Sequence, residues 1–251
     1  MTVVAIIQAR MSSSRLPGKV LKPLAGMPVL GHVVERLSYC RMVDNIVVAT
    51  SLEASDDLIE DYCKKINVNV FRGSLDDVLD RYYQAAKIYQ ADPVVRITAD
   101  CPAIDPVVVD AVITGFLAGN YDLYGLGGEF PDGLDCSVFS FSAIERAWKE
   151  ARLKSEREHV GPYIENNPDL FKNGALKLFH GLSNQRWTLD EASDYELLTK
   201  IFEKLYRKNS PFMTHEVLNL LKADSSLYSI NNGIVRNEGY IKSLSNEGTV
   251  K

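Results

Sequence analysis

Hydrophobic residues follow two rhythms along this chain. Short, mostly apolar runs at Val3–Gln8 and Pro93–Thr98 are too short for helices and predict buried strands, Asn45–Thr50 predicts another strand, and Asn69–Arg72 predicts a short one. Between them, apolar residues recur every three or four positions. Val29, Val33, Val34 and Leu37 share one face of a helix predicted over Val29–Leu37, behind Pro28. Ser55 is expected to cap a second helix, with Asp56 and Asp57 in its first turn, where the helix dipole favours acids. Ser74 is expected to cap a third, Leu75–Tyr89, with Asp76 and Asp77 placed likewise. Asp105 is expected to cap a fourth, Pro106–Leu117, with proline at the first helical position. Strand and helix alternating through short links predict an α/β fold with a mostly parallel sheet flanked by helices.

The rhythm changes after residue 120. Asn120–Gly133 is rich in glycine and aromatic residues, and Cys136–Phe141 reads as a strand. Ser142 and Glu145 have the spacing of a capping box for a helix to Leu153. Ala175–Phe179 and Arg186–Leu189 read as strands, and Asp194–Tyr206 as an amphipathic helix. The expected organisation is one domain over residues 1–230, an insertion at the sheet edge over about 120–181, and a weakly structured tail over 231–251. The aromatic residues of the insertion, among them Tyr121, Tyr124, Phe130 and Phe179, would leave a large exposed patch if it projected, so a partner surface is expected there.

Composition narrows the function. Apolar residues make up 46% and charged residues 24%, ordinary globular values, and the net charge of −5 argues against nucleic acid as a partner. Cys40, Cys63, Cys101 and Cys136 form no C-x-x-C pair, which suits a reduced, cytoplasmic chain without structural zinc. No run approaches the roughly 20 apolar residues of a membrane span, so no membrane partner is expected. Neither G-x-x-x-x-G-K-[ST] nor a G-x-G-x-x-G after a strand is present, which excludes a Walker-A site and gives a dinucleotide site no support.

The chemistry concentrates behind the first strand. Val3–Gln8 empties into a loop that carries Arg10, three serines (Ser12 to Ser14), Arg15, a Pro17-Gly18 turn and Lys19. Ligands of α/β proteins bind at the carboxyl edge of the sheet, and three fixed cations there suit a polyanion such as a triphosphate. The plainer alternative is a solvated basic loop. Asp100 follows the Pro93–Thr98 strand by two residues, at the same edge. A carboxylate beside a phosphate loop needs a cation between them, and Mg²⁺ takes one or two carboxylates together with substrate phosphates. The alternative for Asp100 is a turn cap before Pro102. Asp190 is expected to end the Arg186–Leu189 strand, either as a second metal carboxylate or as an acid leading the next helix. His159, in Ser155–Val160, belongs to a charged cluster that is either a helix face or part of a site. Cys101 reads as a packed thiol, because no histidine lies near it in sequence.

Six stretches carry a resemblance. I-I-Q-A-R-M-S-S-S-R-L-P-G-K-V-L, R-G-S-L-D-D-V-L-D-R, I-T-A-D-C-P-A-I-D-P, G-L-D-C-S-V-F-S-F and the pair R-E-H-V-G-P-Y and R-W-T-L-D resemble the nucleotide-sugar cytidylyltransferases. That family includes the CMP-Kdo and CMP-acylneuraminate synthetases, and the likeness is nearest to its spore-coat polysaccharide branch. It spans roughly residues 3–205. The resemblance implies a Rossmann-like, GT-A-like nucleotidyltransferase fold and the transfer of CMP from CTP to a small acidic sugar, with Mg²⁺, for surface-polysaccharide synthesis. It implies nucleotide contacts from Gln8, Ala9, Arg10, Ser14, Arg15, Lys19, Arg72, Ser74, Asp77 and Thr98. Arg10, Arg15, Lys19 and Asp100 would carry catalysis, and Asp100 and Asp190 would hold the metal. Asp135, Arg157 and His159 would lie near the sugar. It also implies a homodimer. A glycosyltransferase using a ready-made nucleotide-sugar, or a degenerate homologue with an assembly role, are the alternatives. The first lacks a second acid at Asp100-Cys101-Pro102, and the retained Arg10, Arg15, Lys19, Asp100 and Asp190 count against the second.

Overall fold

The structure is a computed structural model that describes residues 1–236, 238–245 and 247–248. Strand β1 (Val4–Gln8) has its first four residues wholly shielded from solvent, because it runs through the middle of a sheet covered on both faces. The chain continues through the short hairpin of β2 (Pro23–Leu24) and β3 (Met27–Pro28), then α1 (Val29–Leu37), β4 (Asn45–Ser51), α2 (Asp57–Lys65) and β5 (Asn69–Gly73). It goes on to α3 (Val78–Ile88), β6 (Val94–Thr98), α4 (Pro106–Gly119), β7 (Leu123–Leu126), β8 (Ser137–Phe139), α5 (Phe141–Glu150), α6 (Lys154–His159) and α7 (Pro162–Glu165). The remaining elements are β9 (Asn173–Leu176), α8 (Ala192–Leu205), α9 (Thr214–Ala223) and α10 (Glu238–Ser245).

The main sheet has seven strands in the order β5-β4-β1-β6-β8-β7-β9. The first four are mutually parallel, with Val4 opposite both Asn45 and Val94. Strand β8 runs antiparallel to β6 and β7, and β9 lies parallel to β7. Successive strand residues face opposite sides. Ala5 and Ile7 therefore pack with α1, α4 and α8 in one core, while Val4 and Ile6 pack with α3 and α5 in the other. This parallel half is the α/β arrangement that the alternating sequence predicts.

Several expected boundaries shift, each for a local reason. Asp56, not Ser55, precedes α2, and a short 3₁₀ turn over Ala54–Asp56 fills the gap. Asp77 caps α3 by accepting from Asp80 N at 2.9 Å, while Ser74 Oγ closes the preceding turn by accepting from Asp77 N. Ser140 caps α5 through Ala143 N at 3.1 Å, two residues before the Ser142 that the sequence singled out. Asp105 caps α4 as expected, accepting from Val107 N. Arg186–Leu189 is not a strand. Trp187 and Leu189 are fully buried, as in a strand, yet the backbone is pinned at separate points, Trp187 N to Asp132 O and Leu189 N to Asp100 O. The whole stretch Gln185–Leu189 is buried, but its strand-like pairing among the described residues is limited to an isolated parallel bridge between Arg186 and Asp132.

The 120–181 segment lies at one edge of the sheet, and its strands β7, β8 and β9 are part of that sheet. Its aromatic side chains find partners within the chain: Phe130, Phe139 and Phe171 are buried, and Tyr121, Tyr124, Phe141, Tyr163 and Phe179 are half-buried. The expected exposed aromatic patch does not arise. The tail is more ordered than its weak patterning suggests, because it carries α10. Residues 237, 246 and 249–251 of that tail lie outside the described residues.

Candidate active site

The loop behind β1 is fixed from beneath. Met11 N donates to Asp56 Oδ1 at 2.7 Å, and Gly18, in the left-handed region at φ 70°, returns the chain by donating to Met11 O. Asp56 is fully buried and also accepts from the Thr50 and Ser51 hydroxyls and from Ser51 N. Burial pushes its carboxyl up, but these donors, the Ser51 hydroxyl foremost, hold it below the ordinary carboxylate range. The sequence offered Asp56 as a helix-dipole acid, whereas its role is to anchor this loop.

Lys19 then enters a short 3₁₀ turn with its ammonium turned inward. Nζ donates to Asp100 Oδ2 at 2.6 Å and to Asp190 Oδ1 at 2.7 Å. Burial alone would lower the Lys19 pKa, but the two carboxylates outweigh it and raise it. Burial likewise opposes ionisation of Asp100, yet Lys19 and a hydrogen bond from Thr98 bring its carboxyl down to about 2. Asp190 sits in the turn before α8. Asp194 Oδ2 accepts from the backbone N–H groups of Asp190 and Glu191, both at 2.9 Å, which shapes that turn. Arg186 ties the arrangement together, reaching Asp132 at 2.7 Å, Asp190 at 3.0 Å and Asp194 at 2.9 Å. Asn231, from beyond α9, donates to Asp194 Oδ1 and Arg186 O. Burial, and then nearby Asp135, push the Asp132 carboxyl up to about 7 against the pull of Arg186. Arg15 completes this wall, with one nitrogen 2.8 Å from Asp190 and another 2.7 Å from Glu238 at the start of α10.

The facing wall is basic and unpaired. Arg10 is exposed, and its side chain makes no hydrogen bond or ion pair among the described residues. Arg81, on α3, is 2% exposed, and its Nε and one terminal nitrogen are buried without a partner. Burial first, and then repulsion from Arg10, lower its pKa. Gln8 Oε1 is a third buried polar atom without a partner. Between the walls lies a cavity of about 400 Å³, closed by Lys154, Glu158, His159 and Ser243. His159 Nε2 lies 2.9 Å from Ser243 Oγ, and burial moves its pKa below the usual value.

The structure thus gathers Gln8, Ala9, Arg10, Ser14, Arg15, Lys19, Thr98, Asp100, His159 and Asp190 around one cavity. It leaves the other candidates elsewhere. Arg72 donates to Ser51 O and pairs with Asp57 and Glu60, bracing β5 against α2. Ser74 closes its turn, and Asp77 pairs with Arg157, whose guanidinium also donates to Trp148 O. Asp135 accepts from Gly133 N and from Arg236. Arg72, Ser74, Asp77, Asp135 and Arg157 serve local structure and do not line the cavity. Sequence reasoning missed Arg81, Lys154, Glu158, Glu238 and Ser243. Arg81 did leave a signal, a charge within the inward stripe of Val78, Leu79, Tyr82 and Ala85.

Among the described residues no three His, Cys, Asp or Glu side chains cluster to hold a metal. Asp100 and Asp190 instead share a single cation, the Lys19 ammonium, so their oxygens are close enough to share one ion. The cytidylyltransferase family model matches residues 4–231. This chain belongs to the cytidylyltransferase family. It is similar to an uncharacterized protein of Methanocaldococcus jannaschii, 38% identical over 242 residues, 96% of this chain and 98% of the other. It is 34% identical over 210 residues to the spore coat polysaccharide biosynthesis protein SpsF of Bacillus subtilis, covering 80% and 87% of the two chains. A solved cytidylyltransferase from Leptospira borgpetersenii shares 36% identity with a TM-score of 0.87 over 94% of this chain and all of that one. As a cytidylyltransferase with a mostly parallel, helix-flanked sheet, the chain is a nucleotidyltransferase, and the likeness drawn from its motifs holds.

Proposed function

We propose that this cytidylyltransferase uses CTP and a divalent cation, Mg²⁺, to transfer CMP to a small acidic sugar, with release of pyrophosphate. The observation that carries the reading is the shared grip of Asp100 and Asp190 on one ammonium, opposite the unpaired guanidinium groups of Arg10 and Arg81. Two carboxylates already converging on one positive charge suit a hard dication that takes oxygen ligands and keeps positions for water and phosphate. Asp100 and Asp190 would hold it, and when bound it supplies charge neutralisation for the triphosphate.

The chain's own residues do the remaining work. Attack of a sugar hydroxyl on the α-phosphorus forms one P–O bond as the bond to pyrophosphate breaks, and negative charge grows on the leaving group. Fixed cations are the main help a protein gives to such a transfer. Arg15 and Lys19, on a loop locked by Asp56, and Arg10 opposite them, are placed to bind the phosphates. No protein nucleophile is required, and burial together with neighbouring Asp100 keeps the Cys101 thiol well above its usual pKa. The acidic acceptor follows the likeness to the Kdo and acylneuraminate enzymes. Homodimer assembly rests on that likeness alone, and light scattering giving twice the mass of one chain tests it. Pyrophosphate release with each NTP across a panel of 2-keto-3-deoxy acid sugars tests the reaction. Release with CTP and an acid sugar is expected, and preference for another NTP or for a neutral sugar overturns that part of the reading.

A further inference from the structure

A second, smaller chamber of about 150 Å³ adjoins the main cavity, and His159 lines both. Its floor is Arg96, in the middle of β6. Residues two apart on a strand face the same side. Arg96 therefore shares a sheet face with Thr98, which lines the main cavity, and the two lie about 7 Å apart along the strand. Ser137, directly across on β8, is its register partner and lines the same chamber.

Arg96 is hard to explain as a structural residue. It occupies a central strand flanked by β1 and β8. Its side chain makes no hydrogen bond or ion pair among the described residues, and its Nε is buried without a partner. It is a half-buried guanidinium that interacts electrostatically with Glu165 but forms no ion pair with it among the described residues, so an anion in the chamber would complete it. The chamber also holds Glu165 of α7, seated against Gly161: a Cβ there would stand 2.8 Å from Glu165 Oε1, so glycine makes room for the carboxylate. Burial pushes the Glu165 carboxyl up while Arg96 pulls it down. A guanidinium, a carboxylate and the Ser137 hydroxyl around one small space suit a ligand with one carboxylate and several hydroxyls.

We propose that this chamber is the acceptor subsite, with Arg96 receiving the carboxylate of the sugar acid and Glu165 and Ser137 its hydroxyls. The proposal rests on the reading of the protein as a CTP-dependent transferase for acid sugars, and it adds the residue that selects the acid. A sugar held by its carboxylate on Arg96 extends past His159 toward the main cavity, where its free hydroxyl meets the nucleotide.

The test uses the full chain, CTP, and two probes, 3-deoxy-manno-octulosonate and N-acetylneuraminate, each also with its carboxyl reduced to the alcohol. Pyrophosphate release gives kcat and KM for the sugars, calorimetry gives CTP affinity, and thermal melting checks the fold. The wild-type protein is expected to prefer an acid over its alcohol. Arg96→Gln should lose about 100-fold on the acid, chiefly through KM, and should level acid and alcohol, the scale of a charge-assisted hydrogen-bonded pair. Its CTP affinity should stay within about twofold, and Arg96→Lys should recover part of the preference. An Arg96→Gln variant that keeps the acid preference, or that loses CTP affinity along with sugar use, overturns the proposal. So does a wild-type protein that binds CTP but takes neither acid. Failure of the wild-type protein to bind CTP overturns the broader functional reading instead.

Discussion

The two walls of the main cavity carry similar cations in opposite circumstances. On the carboxylate wall, Lys19, Arg15 and Arg186 are each held by two or more acids at 2.6–3.0 Å. On the facing wall, Arg81 is as deeply buried as Arg186, yet its side chain makes no hydrogen bond or ion pair among the described residues. A buried charge that is paired supports the fold, and one that is unpaired weakens it until a ligand supplies the counter-charge. The carboxylate wall is thus complete without substrate, and the arginine wall is completed only by an anion. The difference separates residues whose loss damages both fold and function from residues whose loss damages function alone.

The largest effect expected is on catalysis, at the carboxylate wall. Asp100→Asn keeps the shape of the side chain but removes the charge that faces Lys19 and the proposed cation. Turnover should fall by about 10²–10³, the scale of losing one preorganised electrostatic contact. A pyrophosphate-release assay at saturating CTP and sugar reads it directly, and a variant within tenfold of wild type would break the assignment. Next comes a pair of opposite signs in stability. Lys19→Met leaves Asp100 and Asp190 facing each other without a cation and should destabilise the ligand-free protein by about 3 kcal/mol. Arg81→Met removes an uncompensated buried charge and should stabilise it by about 1 kcal/mol while weakening CTP binding. Denaturant melts of both variants decide the matter, and equal signs would erase the distinction between the walls.

The same contrast explains what could be read from the sequence. The parallel half was legible because β1, β4 and β6 are largely buried runs between helices with an apolar face, so α1 falls on Val29–Leu37 as its spacing predicts. Arg15, Lys19 and Asp100 of the carboxylate wall were legible because they follow β1 and β6, whereas Asp190 was singled out behind a segment that is not a strand. Arg81 and Arg96 were not legible, because each is a single charge inside an apolar pattern that otherwise reads as core. Arg72, Asp77 and Arg157 do not line the main cavity, for the converse reason. Each lies in a motif-like stretch, but their charges are spent on one another or on helix ends. Glu238 and Ser243 come from a tail with no pattern of its own, ordered by docking α10 against α6, a tertiary contact that no local rule announces.

The pairing of Asp100 with Lys19 also leaves a mark on acid stability. The Asp100 carboxyl is brought down to about 2, from an ordinary value of 3.8. A group whose folded pKa is depressed stabilises the fold above its unfolded pKa and loses that contribution as pH falls through the folded one. About 2 kcal/mol should therefore disappear between pH 3.8 and about 2. Lys19→Met removes the cause of the depression, so its stability should lack this step. Urea melts at intervals of half a pH unit measure it, and an unchanged acid limb in Lys19→Met would show that Lys19 is not what holds Asp100 ionised.

The smallest effect belongs to Arg15, which spans the carboxylate wall and the tail. Its guanidinium reaches Asp190 through one terminal nitrogen at 2.8 Å and Glu238 through the other at 2.7 Å, with Glu191 at 3.5 Å from Nε. The side chains are 19–37% exposed, so these pairs add little to folding stability, and Arg15→Lys should leave the melting temperature almost unchanged. A lysine keeps the charge but not the planar fork, and it cannot face the Asp190 side, the α10 side and a phosphate at once. The KM for CTP is expected to rise about fivefold to tenfold, near 1 kcal/mol, with little change in kcat. A fall in kcat with KM unchanged would instead mean that Arg15 acts on the leaving pyrophosphate in the transition state rather than on the bound triphosphate. A wild-type KM would mean that its contacts to Asp190 and Glu238 persist when the nucleotide binds, making Arg15 a strut between α10 and the carboxylate wall.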